Sequence, residues 1–162
     1  MKQHQAIREL VRGALIAALY VALTLLAAAM GLSSGVIQLR FSEALCILPC
    51  FTAAAIPGLT VGCLLANALT GCALWDVIFG SLATLIGALG AFALRRHKWL
   101  APLPSILSNT LIVPLVLMYV YQAPGSYAYF ALTVGVGELL SCGVLGIALH
   151  TLVQKRLTSL FD

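Results

Sequence analysis

The sequence predicts an all-α integral membrane protein, a single transmembrane domain whose six helices form a bundle with both ends in the cytoplasm. Hydrophobic residues make up 62% of the 162 residues and charged residues 9%, whereas soluble domains carry roughly 25% charged residues. The basic residues also form short clusters between long apolar runs. That arrangement indicates membrane topology and argues against a nucleic-acid-binding surface.

The apolar runs set the predicted helices, since a crossing of the bilayer needs about 20 apolar residues. The first run is too long for a cleaved signal peptide and is predicted to stay as a span. The predicted helices are 10–32, 43–55, 58–72, 75–95, 101–121 and 127–154. Pro57 and Gly58 are expected to turn the chain between the second and the third. These two are short, so residues 43–72 could form short or re-entrant helices, with five spans as the alternative.

The basic residues predict the orientation. With six crossings, eight of the nine Lys and Arg residues lie on the cytoplasmic side, as the positive-inside rule prefers. These include Arg8 and Arg12 before the first span and the loop 95–98 after the fourth. Gln38 and Gly125 are then external, and Arg40 is the one exception among the basic residues.

Four ionisable residues stand at or near membrane depth, where charge is costly and usually faces a cavity. They are Arg40, Glu43, Asp76 and Glu138. Each residue also has an alternative to a place in a binding site. Arg40 and Glu43 could be a solvated loop pair, and Asp76 could cap a helix N-terminus. Glu138 could pair with Arg40 across the bundle.

Two amides fall in the same outer half of the predicted bundle. Asn67 lies near the external end of the third helix, and Asn109 lies near the middle of the fifth. Both are candidates for a polar site, and interhelical hydrogen bonding is the alternative. Trp75 and Phe79 are candidates to stack on a flat ligand, and an interfacial aromatic belt is the alternative.

The five cysteines predict no metal site. Cys46 and Cys50 stand four apart with no histidine nearby to complete a ligand set. We interpret all five as small apolar residues of a membrane core. The three histidines are expected near the cytoplasmic ends, which argues against an intramembrane enzyme with a histidine at the polar site.

A row of small residues marks the first helix. Ala14, Ala18 and Ala22 recur every four residues, which makes a groove where another helix can approach closely. Packing within the chain could also use this groove.

Two stretches carry a resemblance to a known family. They are GVIQLRFSEALCILPCFTAAAIPGLTVGCLLANALTG and LWDVIFGSLATLIGALGA. From about Val36 to Ala91 the chain resembles the QueT family, whose members are substrate-binding S components of energy-coupling factor transporters for queuosine precursors. A weaker likeness continues to the C-terminus.

The resemblance implies a six-helix subunit of a prokaryotic plasma membrane that binds its solute near the external face. It implies docking on a membrane T component and two ABC-type ATPases, with Ala14, Ala18 and Ala22 as the docking surface and no cofactor in this chain. The sequence has no phosphate-binding loop, so ATP would be hydrolysed by the partners. The alternatives are another vitamin-like or purine-like solute, an intramembrane scaffold or an enzyme.

The charges predict the ligand. Arg40, Glu43, Asp76 and Glu138 together carry a net charge of −2 if all are ionised, which favours a cationic solute rich in donors. The compound 7-aminomethyl-7-deazaguanine fits, although the sequence leaves open whether that amine, queuine or both are carried. We expect Glu138 on the guanine edge and Asp76 or Glu43 on the amine. Gln38, Asn67 or Asn109 would meet the ring carbonyl, and Trp75 or Phe79 the ring face.

Overall fold

The computed structural model describes residues 2–32 and 39–156, and within them it contains helices and no strand. The helices are α1 (Lys2–Ala29), a 3₁₀ helix (Phe41–Cys50), α2 (Ala55–Leu69), α3 (Leu74–Ala93), α4 (Leu103–Tyr119), α5 (Tyr127–Glu138), a π-helical segment (Leu139–Leu145) and α6 (Gly146–Arg156). The last three follow one another without a break, so the described residues form six continuous helical segments. The predicted all-α membrane fold is confirmed.

Three of these segments are long and apolar enough to cross a membrane: Gln3–Ala29, Leu74–Ala93 and Tyr127–Arg156. The other three are shorter and apolar. Helix α1 begins well before the predicted residue 10, because an apolar run marks only the part of a helix that lies in lipid. Its polar first turns are helical as well, and Arg12 Nη1 there pairs with Glu9 Oε1 at 2.9 Å.

The second predicted helix is a 3₁₀ helix that ends at Cys50 and contains Pro49. At about 2.0 Å per residue its ten residues reach roughly 20 Å, less than the hydrocarbon thickness. The chain turns at residues 51–54, so the predicted turn at Pro57 and Gly58 is wrong. Pro57 lies in the first turn of α2, where proline is tolerated because the first backbone N–H groups have no partner within the helix.

Helices α1 and α2 pack closely through glycines of α2. A Cβ added to Gly58 would lie 2.7 Å from Gly13 O, and one added to Gly62 would lie 2.8 Å from Tyr20 Cβ. The contact therefore uses the face of α1 that carries Gly13 and Tyr20. Ala14, Ala18 and Ala22 are exposed on α1.

The π-helical segment directly follows Glu138 and packs against the 3₁₀ helix. Ser141 is 1% exposed and Cys142 is fully buried. Cys142 Sγ lies 3.3 Å from the backbone carbonyl oxygen of Glu43. π-Helical turns inside α-helices are frequent at functional sites, and this one joins Glu138 to the region around Arg40 and Glu43.

Candidate functional site

A cavity of about 490 Å³ lies between α1, α2, α3 and α4, a volume typical of small-molecule sites. It lies at the end of the bundle formed by the C-terminal parts of α1, α2 and α4 and the start of α3, away from the basic loop 95–98. Its walls combine polar and aliphatic side chains. The lining residues are Thr24, Ala28, Arg40, Asn67, Thr70, Cys72, Asp76, Val113, Val116, Leu117 and Tyr121.

Asp76 and Tyr121 form one wall of this cavity. Asp76 lies in the first turn of α3 and is 8% exposed. The Tyr121 hydroxyl donates to Asp76 Oδ2 at 2.9 Å and accepts from the backbone N–H of Ala73 at 3.0 Å. Partial burial raises the pKa of Tyr121 to about 12, and the hydrogen bond to Asp76 acts in the same direction. The phenol therefore keeps its proton at neutral pH and remains a donor.

Asn67 and Thr24 form further polar parts of the lining. Asn67 is 3% exposed, and its amide approaches α3 where Gly80 has no side chain, since a Cβ there would lie 2.9 Å from Asn67 Nδ2. The Thr24 hydroxyl donates to Ser42 Oγ at 2.8 Å. Glycine at position 80 thus allows an amide to lie beside the cavity.

Arg40 lies directly before the 3₁₀ helix and is held there through its backbone. Its N–H donates to Ser141 Oγ at 3.4 Å, and its carbonyl oxygen accepts from Glu43 N at 3.1 Å. Within residues 2–32 and 39–156, its guanidinium makes no hydrogen bond and no ion pair within 4.0 Å. Arg40 lines the large cavity and also a separate void of about 10 Å³ next to Glu138, Val113 and Val134.

Glu43 and Glu138 are buried, at 4% and 8% exposed. Tyr20 donates its hydroxyl proton to Glu43 Oε1 at 2.5 Å, and Cys142 Sγ lies 3.2 Å from Glu138 Oε2. The alternative of a solvated Arg40–Glu43 loop pair is therefore wrong for Glu43. An Arg40–Glu138 ion pair within 4.0 Å does not occur.

One atom each from Glu43, Glu138 and Cys142 lies within 4.8 Å of the others, which is close enough for a shared metal ion. Arg40 brings a positive charge to the void beside Glu138, and that charge opposes a metal cation at this point.

The predicted site residues separate into three groups. Among the described residues, Arg40, Asn67 and Asp76 line the large cavity, whereas Glu138 lines the small void that Arg40 also borders. Glu43 and Asn109 are buried away from the cavity lining, and Asn109 Nδ2 has no hydrogen-bond partner among the residues described. Gln38 lies outside the described residues.

The two aromatic residues predicted to stack on a ligand, Trp75 and Phe79, are not among the residues that line the cavity. Trp75 and Phe79 are 57% and 39% exposed, and their rings stack on each other at 5.9 Å between centroids.

Sequence reasoning missed Thr24, Thr70 and Cys72 in the cavity lining. For Tyr121 a signal existed, because it follows the apolar run of α4 as one of the aromatic residues at that end of the bundle.

An all-α membrane bundle that encloses a polar cavity between its helices has the architecture of a membrane protein that binds a small solute. Residues 10–155 match the family described as QueT transporter. Because this match covers most of the chain, the chain belongs to the QueT transporter family.

A curated relative adds detail over part of the chain. The queuosine precursor transporter QueT of Lactococcus lactis subsp. cremoris (strain MG1363) is 39% identical over 92 residues, which cover 56% of this chain and 53% of that protein. The chain thus spans about half the length of this relative. No solved structure matches the chain.

Proposed function

We propose that this chain is the substrate-binding membrane subunit of an energy-coupling factor importer and that it binds a queuosine precursor in the 490 Å³ cavity. Membership of the QueT transporter family and the name of the curated relative support a queuosine precursor as the solute. The observation that carries the proposal is the cavity itself, which has the volume for a purine-sized solute and a lining that combines charged and polar groups with aliphatic side chains.

The chemistry of the lining fits 7-aminomethyl-7-deazaguanine. Asp76 offers a carboxylate to its ammonium group, and the amide of Asn67 can meet an edge of the ring system. The aliphatic side chains of Val113, Val116 and Leu117 offer an apolar surface to the ring face. The sequence assigned that surface to Trp75 or Phe79, and the position of Val113, Val116 and Leu117 favours the aliphatic residues instead.

The positive-inside rule supports an external position for this cavity. The loop 95–98 and the C-terminal Lys155 and Arg156 lie at the other end of the bundle from the cavity-lining Asp76 and Tyr121. If those basic residues face the cytoplasm, the cavity lies on the external side, where an import subunit must collect its solute.

The partners proposed are a membrane T component and two ABC-type ATPases. Ala14, Ala18 and Ala22 are exposed on α1, so their side chains are available for close approach of a helix from another chain. ATP hydrolysis by the partners would then drive release of the solute into the cytoplasm.

Binding and uptake measurements test the proposal. Isothermal titration of the purified chain with 7-aminomethyl-7-deazaguanine should give one site and no change in the compound. Vesicles that contain the chain with its T component and ATPases should accumulate the compound only when ATP is present inside. A chain that chemically converts the compound would be an enzyme, and one that binds no deazapurine would be a scaffold or a subunit for another solute.

A further inference from the structure

We infer that Arg40 is the residue that recognises the ring carbonyl oxygen of the ligand, and that Glu138 holds Arg40 in position from behind rather than touching the ligand. The inference rests on the proposed function, because it assigns the carbonyl and the ammonium group of a deazaguanine to two residues of the cavity lining. It differs from the sequence-based expectation, in which Glu138 meets the guanine edge.

The first argument is position. Among the described residues, Arg40 lines both the large cavity and the 10 Å³ void, whereas Glu138 lines the void and not the large cavity. The void has room for about one water molecule, which is far too little for a ring. A ligand in the large cavity therefore meets Arg40 before it could reach Glu138.

The second argument is hydrogen bonding. A guanidinium has five N–H donors, and in the part of the chain that the structure describes those of Arg40 meet no acceptor within hydrogen-bond distance. The three nearby carboxylates already have neutral donors, namely Tyr121 for Asp76, Tyr20 for Glu43 and Cys142 for Glu138. As far as the described residues go, the guanidinium donors of Arg40 are therefore unused at the cavity, and a carbonyl oxygen of a ligand can accept from them.

The third argument is charge. Among the described residues of the cavity lining, Arg40 is the one cationic side chain and Asp76 the one anionic side chain. Glu43 and Glu138 lie outside the lining, so the cavity does not carry the net charge of −2 expected from all four residues. A lining with one charge of each sign suits a dipolar ligand, with its carbonyl at Arg40 and its ammonium at Asp76.

Glu138 acts on Arg40 through the void that they share. The void has room for about one water molecule, which can bridge a guanidinium N–H of Arg40 to a carboxyl oxygen of Glu138. The backbone of Arg40 is held at the same time by Ser141, three residues beyond Glu138. The segment that contains Glu138 and Ser141 is thus positioned to fix both the backbone and the side chain of Arg40.

Three ligands test the assignment by isothermal titration of the full-length chain. The reference is 7-aminomethyl-7-deazaguanine. Its 6-thio analogue replaces the carbonyl oxygen by a poorer acceptor and keeps the ring N–H donor. Its 2-deamino analogue keeps the carbonyl and removes a donor of the guanine edge. Folding of every variant is checked by thermal melting in the same detergent.

We expect the unmodified chain to prefer the reference over the 6-thio analogue by about tenfold or more, as for a hydrogen bond to a charged donor. Arg40→Met should abolish this preference, Arg40→Lys should retain part of it, and Arg96→Met, a control in the exposed loop, should leave it intact. Glu138→Gln should reduce the same preference and leave discrimination against the 2-deamino analogue unchanged.

Two results would overturn the inference. A full preference for the oxygen compound in folded Arg40→Met would remove Arg40 from the carbonyl. Loss of discrimination against the 2-deamino analogue in Glu138→Gln would place Glu138 directly on the guanine edge. Failure of the unmodified chain to bind any of the three compounds would instead refute the proposed function.

Discussion

The hydroxyl of Tyr121 donates a 2.9 Å hydrogen bond to Asp76 across 45 residues of sequence and accepts another from the backbone N–H of Ala73. This single side chain therefore ties the loop after α4 to the start of α3 at the cavity wall. Because Asp76 is 8% exposed, its carboxylate depends on such a donor within the protein.

Tyr121→Phe should lower the stability of the chain in detergent by about 1 kcal/mol, since Asp76 loses a donor and Ala73 an acceptor. Thermal melting of the unliganded chain measures this. Tyr119→Phe removes a hydroxyl from a tyrosine that is 75% exposed and serves as the control. Equal melting temperatures for the two variants would mean that the Tyr121 hydrogen bonds do not stabilise the wall.

Gly80→Ala should weaken ligand binding several-fold, by roughly 1 kcal/mol. The new Cβ would lie 2.9 Å from Asn67 Nδ2, so the amide would have to move away from its place in the lining. Gly135→Ala is a matched control, because its nearest atom would be Thr110 Cγ2 at an ordinary 3.5 Å. Unchanged ligand affinity in Gly80→Ala would mean that Asn67 does not take part in ligand recognition.

Asp76→Asn should reduce the affinity for 7-aminomethyl-7-deazaguanine by about tenfold or more, because the ammonium loses its counter-charge. The neutral 7-cyano analogue should be affected much less, since asparagine can still accept the Tyr121 hydrogen bond. Titration with both compounds decides the point, and Glu9→Gln removes one carboxylate at the other end of the bundle as a control. An equal loss of affinity for both compounds would mean that the amine of the ligand does not contact Asp76.

Ala18→Trp should prevent assembly with the T component and leave ligand affinity unchanged, because close helix approach requires a small residue at this position. Co-purification measures assembly. Leu132→Trp introduces the same ring at an α5 position that is 67% exposed and should assemble normally. Normal co-purification of Ala18→Trp would exclude this surface of α1 from docking.

Cysteine labelling should place the cavity end of the bundle outside and the loop 95–98 inside. Gly125 is a poor labelling position, because its added Cβ would lie 2.8 Å from the Phe130 ring, so exposed Ser126 is preferable. In a cysteine-free chain in intact cells, a membrane-impermeant reagent should label Ser126→Cys and not His97→Cys. The reverse pattern would invert the topology and contradict external binding.

The prediction of the fold succeeded where the signal is local and failed where it is not. Apolar length located the long spans, since each residue contributes to transfer into lipid largely by itself. The pair Pro57 and Gly58 misplaced the turn before α2, because a proline is compatible both with a turn and with the first turn of a helix. The neighbours that select the helix, such as Gly13 of α1 against Gly58, are distant in sequence.

The sequence by itself determined that this protein is an all-α membrane bundle and indicated that the four ionisable residues near membrane depth lie towards the end opposite the basic clusters. Tertiary structure decided which of them meet the large cavity: Asp76 and Arg40 line it, whereas Glu138 lines a small void that it shares with Arg40. The physical reason is that membrane insertion depends on composition along each run. A binding site depends instead on how each helix is rotated and on partners such as Tyr20 for Glu43 and Tyr121 for Asp76, which only long-range packing brings to the carboxylates.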